Sequence, residues 1–289
     1  MKQIYIALSI ALSIISVSLQ AQVTQTSTIS ADPYDFWIAA DTGNLEIVKL
    51  CVEKGMFIDL AYEDNVTPLM LATQGGHKDI VEYLVSKGAN VNAHSEFAEI
   101  PVLTSAVLNN DLEIAEYLIR HGSEINKTDL YGRQAIHYAA SNSFYTMCKM
   151  LLYYDADPDK ADYYAYTPIY YATANGDTTI IELLLNNGVN VVYSEKEPNL
   201  LIQTAASYND LELVKFLYGK GLSLSEKNSS NLSLFDEFTI NGNIEALKWL
   251  QEKGLAANDS ITTFYNTRNL AYLSKNKEVK KLIKETGIK

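Results

Sequence analysis

A glycine, or a residue standing in its place, recurs every 33 or 34 positions, at Gly55, Gly88, Gly122, Asp155, Gly188, Gly221, Gly254 and Gly287. Eight beats of one period require eight copies of one supersecondary unit, because a unit of that size cannot bury its apolar face alone. The chain is therefore expected to form a solenoid, and its 289 residues leave no length for a second folded domain.

The interior of the repeat is clearest in the second copy. Thr67-Pro68-Leu69-Met70-Leu71-Ala72 is followed by Gly75-Gly76-His77, then by Ile80-Val81-Glu82-Tyr83-Leu84-Val85, and closes on Gly88-Ala89-Asn90-Val91-Asn92. The fifth copy repeats the order with Thr167-Pro168-Ile169-Tyr170-Tyr171-Ala172, Gly176, Ile180-Ile181-Glu182-Leu183-Leu184-Leu185 and Gly188. The fourth keeps Ile136-His137-Tyr138-Ala139, with Ala135 where the proline belongs. These residues resemble the ankyrin repeat, whose signature is a Thr-Pro-Leu-His-x-Ala turn, two antiparallel helices and a return loop. The resemblance implies an all-α solenoid of about eight helix-turn-helix repeats joined by β-turn-like loops. The repeat domain then covers 34–289, with copies at about 34–65, 66–97, 98–131, 132–165, 166–198, 199–231, 232–264 and 265–289.

Each signature position has a physical reason. The Thr67 hydroxyl can cap the first helix, and Pro68 sits at the first helical position, where its missing N–H costs nothing. Ala39, Ala72, Ala106, Ala139, Ala172, Ala205 and Ala271 all lie 16 residues before the period-marking residue and let neighbouring hairpins approach closely, with Phe238 the one break in the column. Gly88 and its equivalents follow the second helix, where a left-handed residue satisfies orphan carbonyls. Asp155 is expected to take the same conformation at a cost of about 1 kcal/mol. The third copy carries one extra residue between Pro101 and Ala106, and the sixth and seventh lack the Thr-Pro pair.

The start of the chain bears on compartment. Met1-Lys2, an apolar run from Ile4 to Leu19 and then Gln20-Ala21-Gln22 read as a signal peptide, 1–21, cleaved after Ala21. A retained membrane anchor is the competing reading, disfavoured because about 16 apolar residues is short for a span. Residues 22–33, rich in Thr and Ser, read as a flexible leader. A periplasmic or secreted protein is expected, with no membrane span after cleavage.

Loss of Lys2 with the signal leaves 22 basic against 35 acidic residues, a formal charge of −13. That argues against nucleic acid, which would repel the chain. The basic residues cluster toward the end, where Arg268, Lys275, Lys277, Lys280, Lys281, Lys284 and Lys289 read as the polar outer face of a terminal repeat. Cys51 and Cys148 fall on second helices three repeats apart, which predicts about 30 Å between them and no bridge.

No zinc-protease, nucleophile-elbow or phosphate-loop spacing occurs, and no metal, cofactor or catalytic residue is expected. His77, His121 and His137 occupy positions where the repeat carries His structurally, and only His94 is unexplained by the pattern. Function should then lie at the positions the repeat leaves free, the turn tips and the exposed side of each first helix, which line one concave surface. Ten of the 20 tyrosines fall between Tyr131 and Tyr171. Tyr138, Tyr170 and Tyr171 occupy first-helix positions and are expected in core or groove packing. Tyr131, Tyr163, Tyr164 and Tyr166 instead sit at two turn tips, where tyrosine offers large contact area at low entropic cost. A tip tyrosine can also merely cover backbone, as single exposed aromatics commonly do.

The expected contact set is Tyr131, Arg133, Asn142, Tyr163, Tyr164, Tyr166, Asn175 and Tyr208. The sequence thus points to a monomeric, non-enzymatic scaffold of a bacterial envelope that binds a protein partner, as inhibitor, immunity factor or accessory factor. A secreted, host-directed effector is the alternative.

Overall fold

The computed structural model describes residues 32–96, 98–189, 200–228, 230, 232–255 and 277–285. The expected signal peptide, most of the leader, Ala271 and Gly287 lie outside them, and of the eighth copy only 277–285 lies within. The described residues hold 15 α-helices, one 3-10 turn at Glu63–Asn65 and an isolated antiparallel bridge between His94 and Pro101, with no strand among them. In chain order the helices are α1 (Pro33–Thr42), α2 (Leu45–Glu53), α3 (Pro68–Gln74), α4 (Lys78–Ser86), α5 (Val102–Leu108), α6 (Leu112–Arg120), α7 (Ala135–Ser141) and α8 (Tyr145–Tyr153). They continue as α9 (Pro168–Ala174), α10 (Thr178–Asn186), α11 (Leu200–Ser207), α12 (Leu211–Gly219), α13 (Leu234–Asn241), α14 (Ile244–Glu252) and α15 (Lys277–Glu285).

The chain divides into two compact units, one of Met1–Ala139 with Lys149–Ala156 and one of Ala140–Cys148 with Asp157–Lys289. In the first, α1 and α2, α3 and α4, and α5 and α6 pair as hairpins; first helices stack on first helices and second on second. The second unit pairs α9 with α10, α11 with α12 and α13 with α14, with first helices again stacked on first helices, and α15 packs on α14.

The caps follow from side-chain chemistry. Thr67 accepts from the Met70 amide, Pro68 opens α3 and Ser233 forms a reciprocal capping box with Asp236, so the seventh copy replaces the missing Thr-Pro by another cap. Thr167 departs from the pattern: its hydroxyl makes no cap bond. Second helices use Asn or Asp, as at Asn44, Asp111, Asp177, Asp210 and Asn243, each accepting from an amide two or three residues on.

Close stacking rests on the small-residue column. Ala39, Ala72, Ala106, Ala139, Ala172 and Ala205 are 0–1% exposed, and Phe238 fits the same column at 0%. Fully buried Leu69, Ile80, Leu84, Ile114 and Leu118 fill the first unit between the helix layers. Asp155 takes the left-handed conformation expected of it, at φ 65°. Cys51 and Cys148 are buried and free, and burial pushes the Cys148 thiol up to about 12.

A second ladder ties hairpin to hairpin. Three residues beyond the alanine column, Asn109 donates its side-chain amide to the Gln74 carbonyl at 2.7 Å. Asn175 reaches Ser141 at 2.6 Å in the same way, and Asn241 reaches Ala206 at 3.4 Å.

Candidate functional site

The tip of the fourth repeat is built on a buried carboxylate. Asp129 is 2% exposed, and its Oδ1 accepts from the Tyr131 and Arg133 amides, both at 2.8 Å. Its Oδ2 accepts from Arg133 Nε at 3.1 Å, Arg133 Nη2 at 2.9 Å and the Tyr138 hydroxyl. One carboxylate thereby fixes the two residues of the turn that follow it and ties them to the first helix nine positions on.

Arg133 therefore departs from its expected place at an open tip. It is only 9% exposed, and its guanidinium lies 4.7 Å from the centres of both the Tyr131 and Tyr138 rings. The cause is electrostatic: a carboxylate buried at position 129 needs a hydrogen-bonded counter-charge, and Arg133 is the one in reach. Tyr131 is half-buried beside it.

In the second unit the fifth repeat uses the same device without the cation. Asp162, 5% exposed, accepts from the Tyr164 and Tyr166 amides at 2.8 and 2.9 Å and from the Tyr171 hydroxyl at 2.6 Å. Where the fourth repeat has Arg133, this one has Tyr166. Its ring lies flat on Tyr170, centres 4.0 Å and planes 6° apart, and 6.3 Å from Tyr164 at 25°. Tyr171 meets it edge-on at 6.2 Å.

The four tip tyrosines thus split. Tyr163 and Tyr164 are 76% and 62% exposed, whereas Tyr131 and Tyr166 are half-buried against their own turns. Tyr138 and Tyr171 are buried and Tyr170 is half-buried, in line with their first-helix positions. Tyr208 is exposed. Asn142 and Asn175 are exposed too, but the Asn175 amide is engaged by the Ser141 carbonyl and that of Asn142 by the Ser141 hydroxyl at 3.4 Å.

A third copy of the device stands before α13. Asn228 Oδ1 accepts from the Ser230 and Leu232 amides at 3.0 and 2.9 Å, and Asn228 Nδ2 donates to Glu237 Oε1 at 2.8 Å. Burial raises the pKa of the Glu237 carboxyl above its ordinary 4.5, the Asn228 bond draws it back and the neighbouring Asp236 charge raises it again. A folded state that holds the proton more tightly than the unfolded one is favoured at low pH, and that advantage is lost as pH rises past the ordinary carboxylate value. Glu237→Gln keeps an acceptor for Asn228 and removes the charge. It is expected to flatten this decline and to raise stability at neutral pH, read from urea unfolding between pH 4 and 8.

These three anchors, Asp129, Asp162 and Asn228, are absent from the expected contact set. A signal existed in the recurrence of Asp, eight intervening residues and Tyr, at Asp129 with Tyr138 and again at Asp162 with Tyr171.

The histidines divide as expected. His77 Nε2 lies 2.8 Å from the Asp41 carbonyl, His137 Nδ1 accepts from the Gln134 amide at 3.1 Å and His121 stacks on Tyr117 at 4.0 Å. His94 borders a shallow hollow of about 540 Å³ with Tyr62, Asp64, Asn65 and Glu96, and its Nδ1 meets the Ser95 carbonyl at 3.3 Å. Among the described residues no group of three or more His, Cys, Asp or Glu is placed to hold a metal ion. No helix there is long and apolar enough to cross a membrane.

Comparison with known proteins places these hairpins. A family model described as ankyrin repeats in three copies matches residues 30–95 and 103–195, and one described as ankyrin repeats in many copies matches 202–251. The ankyrin repeat and KH domain-containing protein mask-1 of Caenorhabditis elegans is 42% identical over 87 residues, 30% of this chain and 3% of that protein. The transient receptor potential cation channel subfamily A member 1 of Drosophila melanogaster is 32% identical over 110 residues, 36% of this chain and 9% of the channel. The phosphocholine transferase AnkX of Legionella pneumophila is 29% identical over 141 residues, 36% of this chain and 15% of the transferase. The chain thus spans a small part of the length of these relatives.

Proposed function

The chain belongs to the ankyrin-repeat family, and from that premise we propose that it is an exported, non-enzymatic scaffold that captures a protein partner on its turn tips. Ankyrin repeats are interaction modules, and the repeat fixes the scaffold, not the ligand. The observation that carries the reading is the fifth-repeat tip. Tyr163 and Tyr164 are exposed while the backbone beneath them is held by Asp162 at both turn amides and at Tyr171. Two large rings are therefore presented without the ordering cost that a loose loop would add on binding. Tyr208, Asn175 and Asn142 are further candidate contacts of the second unit, and Tyr131 is a separate candidate of the first. Arg133 takes part by shaping its tip.

The acidic balance of 35 Asp and Glu against 23 Lys and Arg favours a neutral or basic partner and disfavours nucleic acid. Export rests on the pattern of residues 1–21 and is tested by fractionating cells that express the full chain. Recovery of a shortened protein from the envelope or the medium accords with it, and a full-length protein confined to the cytosol does not.

The surface is tested by affinity capture with the intact chain and with Tyr163→Ala/Tyr164→Ala. The double variant should unfold within about 0.5 kcal/mol of the parent, because exposed positions contribute little to stability. Its affinity for the captured partner should fall about tenfold or more. Equal affinity, with the variant folded, removes the tip from the interface.

A further inference from the structure

Two tips of this chain share one architecture and differ at one position. In the fourth repeat, position four beyond the buried aspartate is Arg133, whose guanidinium lies between the Tyr131 and Tyr138 rings and pairs with Asp129. In the fifth, that position is Tyr166, and among the described residues no lysine or arginine pairs with Asp162. Asp162 is nevertheless as deeply placed as its counterpart, at 5% against 2% exposure.

The difference leaves the Asp162 carboxylate, bonded to two turn amides and the Tyr171 hydroxyl, without a paired lysine or arginine among the described residues, in a turn that also carries stacked tyrosine rings. Tyr170, Tyr166 and Tyr164 follow one another at 4.0 and 6.3 Å with planes 6° and 25° apart, and Tyr164 is the most exposed of the three. Ring faces carry the negative lobe of the aromatic quadrupole and attract a flat cation, a guanidinium above all. Arg133 shows that this chain's own tip geometry accommodates that group.

We propose that the fifth-repeat tip is an arginine-reading site: a guanidinium from the partner stacks on Tyr164, with Tyr163 beside it, and is drawn there by the uncompensated charge of Asp162. This rests on the protein-capture reading and deepens it by naming the chemistry of the partner's anchor. It commits to arginine over lysine because a planar, weakly hydrated cation can lie flat on a ring and an ammonium cannot. It commits to arginine over an apolar side chain because the protein is strongly acidic, with a formal charge of −12.

The test uses the full chain with tyrosine rings labelled for NMR, titrated with N-acetyl-arginine methylamide and with its citrulline and lysine counterparts. Citrulline keeps the flat shape and loses the charge; lysine keeps the charge and loses the plane. Saturable shifts of the Tyr163 and Tyr164 rings are expected with arginine, and binding weaker by at least about fivefold with the other two. Tyr164→Leu should abolish the response. Tyr166→Arg, which installs the fourth-repeat arrangement, should also abolish it by giving Asp162 an internal partner, while leaving the protein folded.

Absence of ring shifts with arginine, equal response to citrulline or lysine, or undiminished binding by Tyr166→Arg overturns the proposal. Failure here with partner affinity still weakened in Tyr163→Ala/Tyr164→Ala removes the arginine and keeps the capture surface. Unchanged partner affinity in that double variant removes the surface itself.

Discussion

Asp129→Ala is expected to destabilise the first unit by about 3–5 kcal/mol, the range found when one member of a buried ion pair is deleted. The change strands the Arg133 guanidinium, of which the side chain is 11% exposed, and leaves the Tyr131 and Arg133 amides and the Tyr138 hydroxyl without their acceptor. Part of the loss comes from the buried charge that has lost Asp129, so Asp129→Leu combined with Arg133→Met should recover some of it. Urea unfolding of the full chain and hydrogen exchange at the 131–133 amides measure the two effects together. A loss under about 1 kcal/mol, or a double variant no better than Asp129→Ala, would show that water and not Arg133 balances the carboxylate.

The second large effect is steric. A methyl group added at Gly75 would stand 2.5 Å from His77 Nε2, 2.6 Å from His77 Cδ2 and 3.0 Å from the Asp41 carbonyl oxygen. Gly75 has φ −73°, an ordinary value, so the glycine is demanded by the imidazole and not by the backbone. Gly75→Ala must displace the ring and break its 2.8 Å contact with Asp41. Overpacking of about 1–3 kcal/mol and a lost hydrogen bond of about 1 kcal/mol together give about 2–4 kcal/mol. In a His77→Ala background the same change meets open space on the imidazole side, and the two substitutions should couple by at least about 1 kcal/mol. Strict additivity in thermal unfolding would refute the steric account.

Gly75 and Asp129 show what a reader of this sequence can and cannot recover. The period, the alanine column, the Thr67 cap and the left-handed Asp155 are all visible, because each answers a backbone demand that recurs from copy to copy, even where a copy such as the fifth or seventh meets it differently. The second-helix caps are spread over Asn and Asp, and His77 stands at that place before α4 without a cap bond, so no single letter marks them. The tip anchors are different in kind. Whether Asp129 points outward or into its own turn depends on how five residues curl, and residue type alone made Arg133 look exposed. Tyr166 and Tyr163 are equally polar-aromatic on paper; the packing of Tyr166 against Tyr170, Tyr171 and Tyr164 separates the half-buried ring from the open one.

The tie from Asp162 to Tyr164, Tyr166 and Tyr171 runs through two backbone amides and one buried hydroxyl, so these bonds hold the course of the chain without using the side chains at 163 and 164. Descendants of such a gene can exchange those two residues by single codon changes while the turn keeps its path. Specificity can then drift across lineages at constant architecture, and related chains are expected to vary most where this one is most exposed.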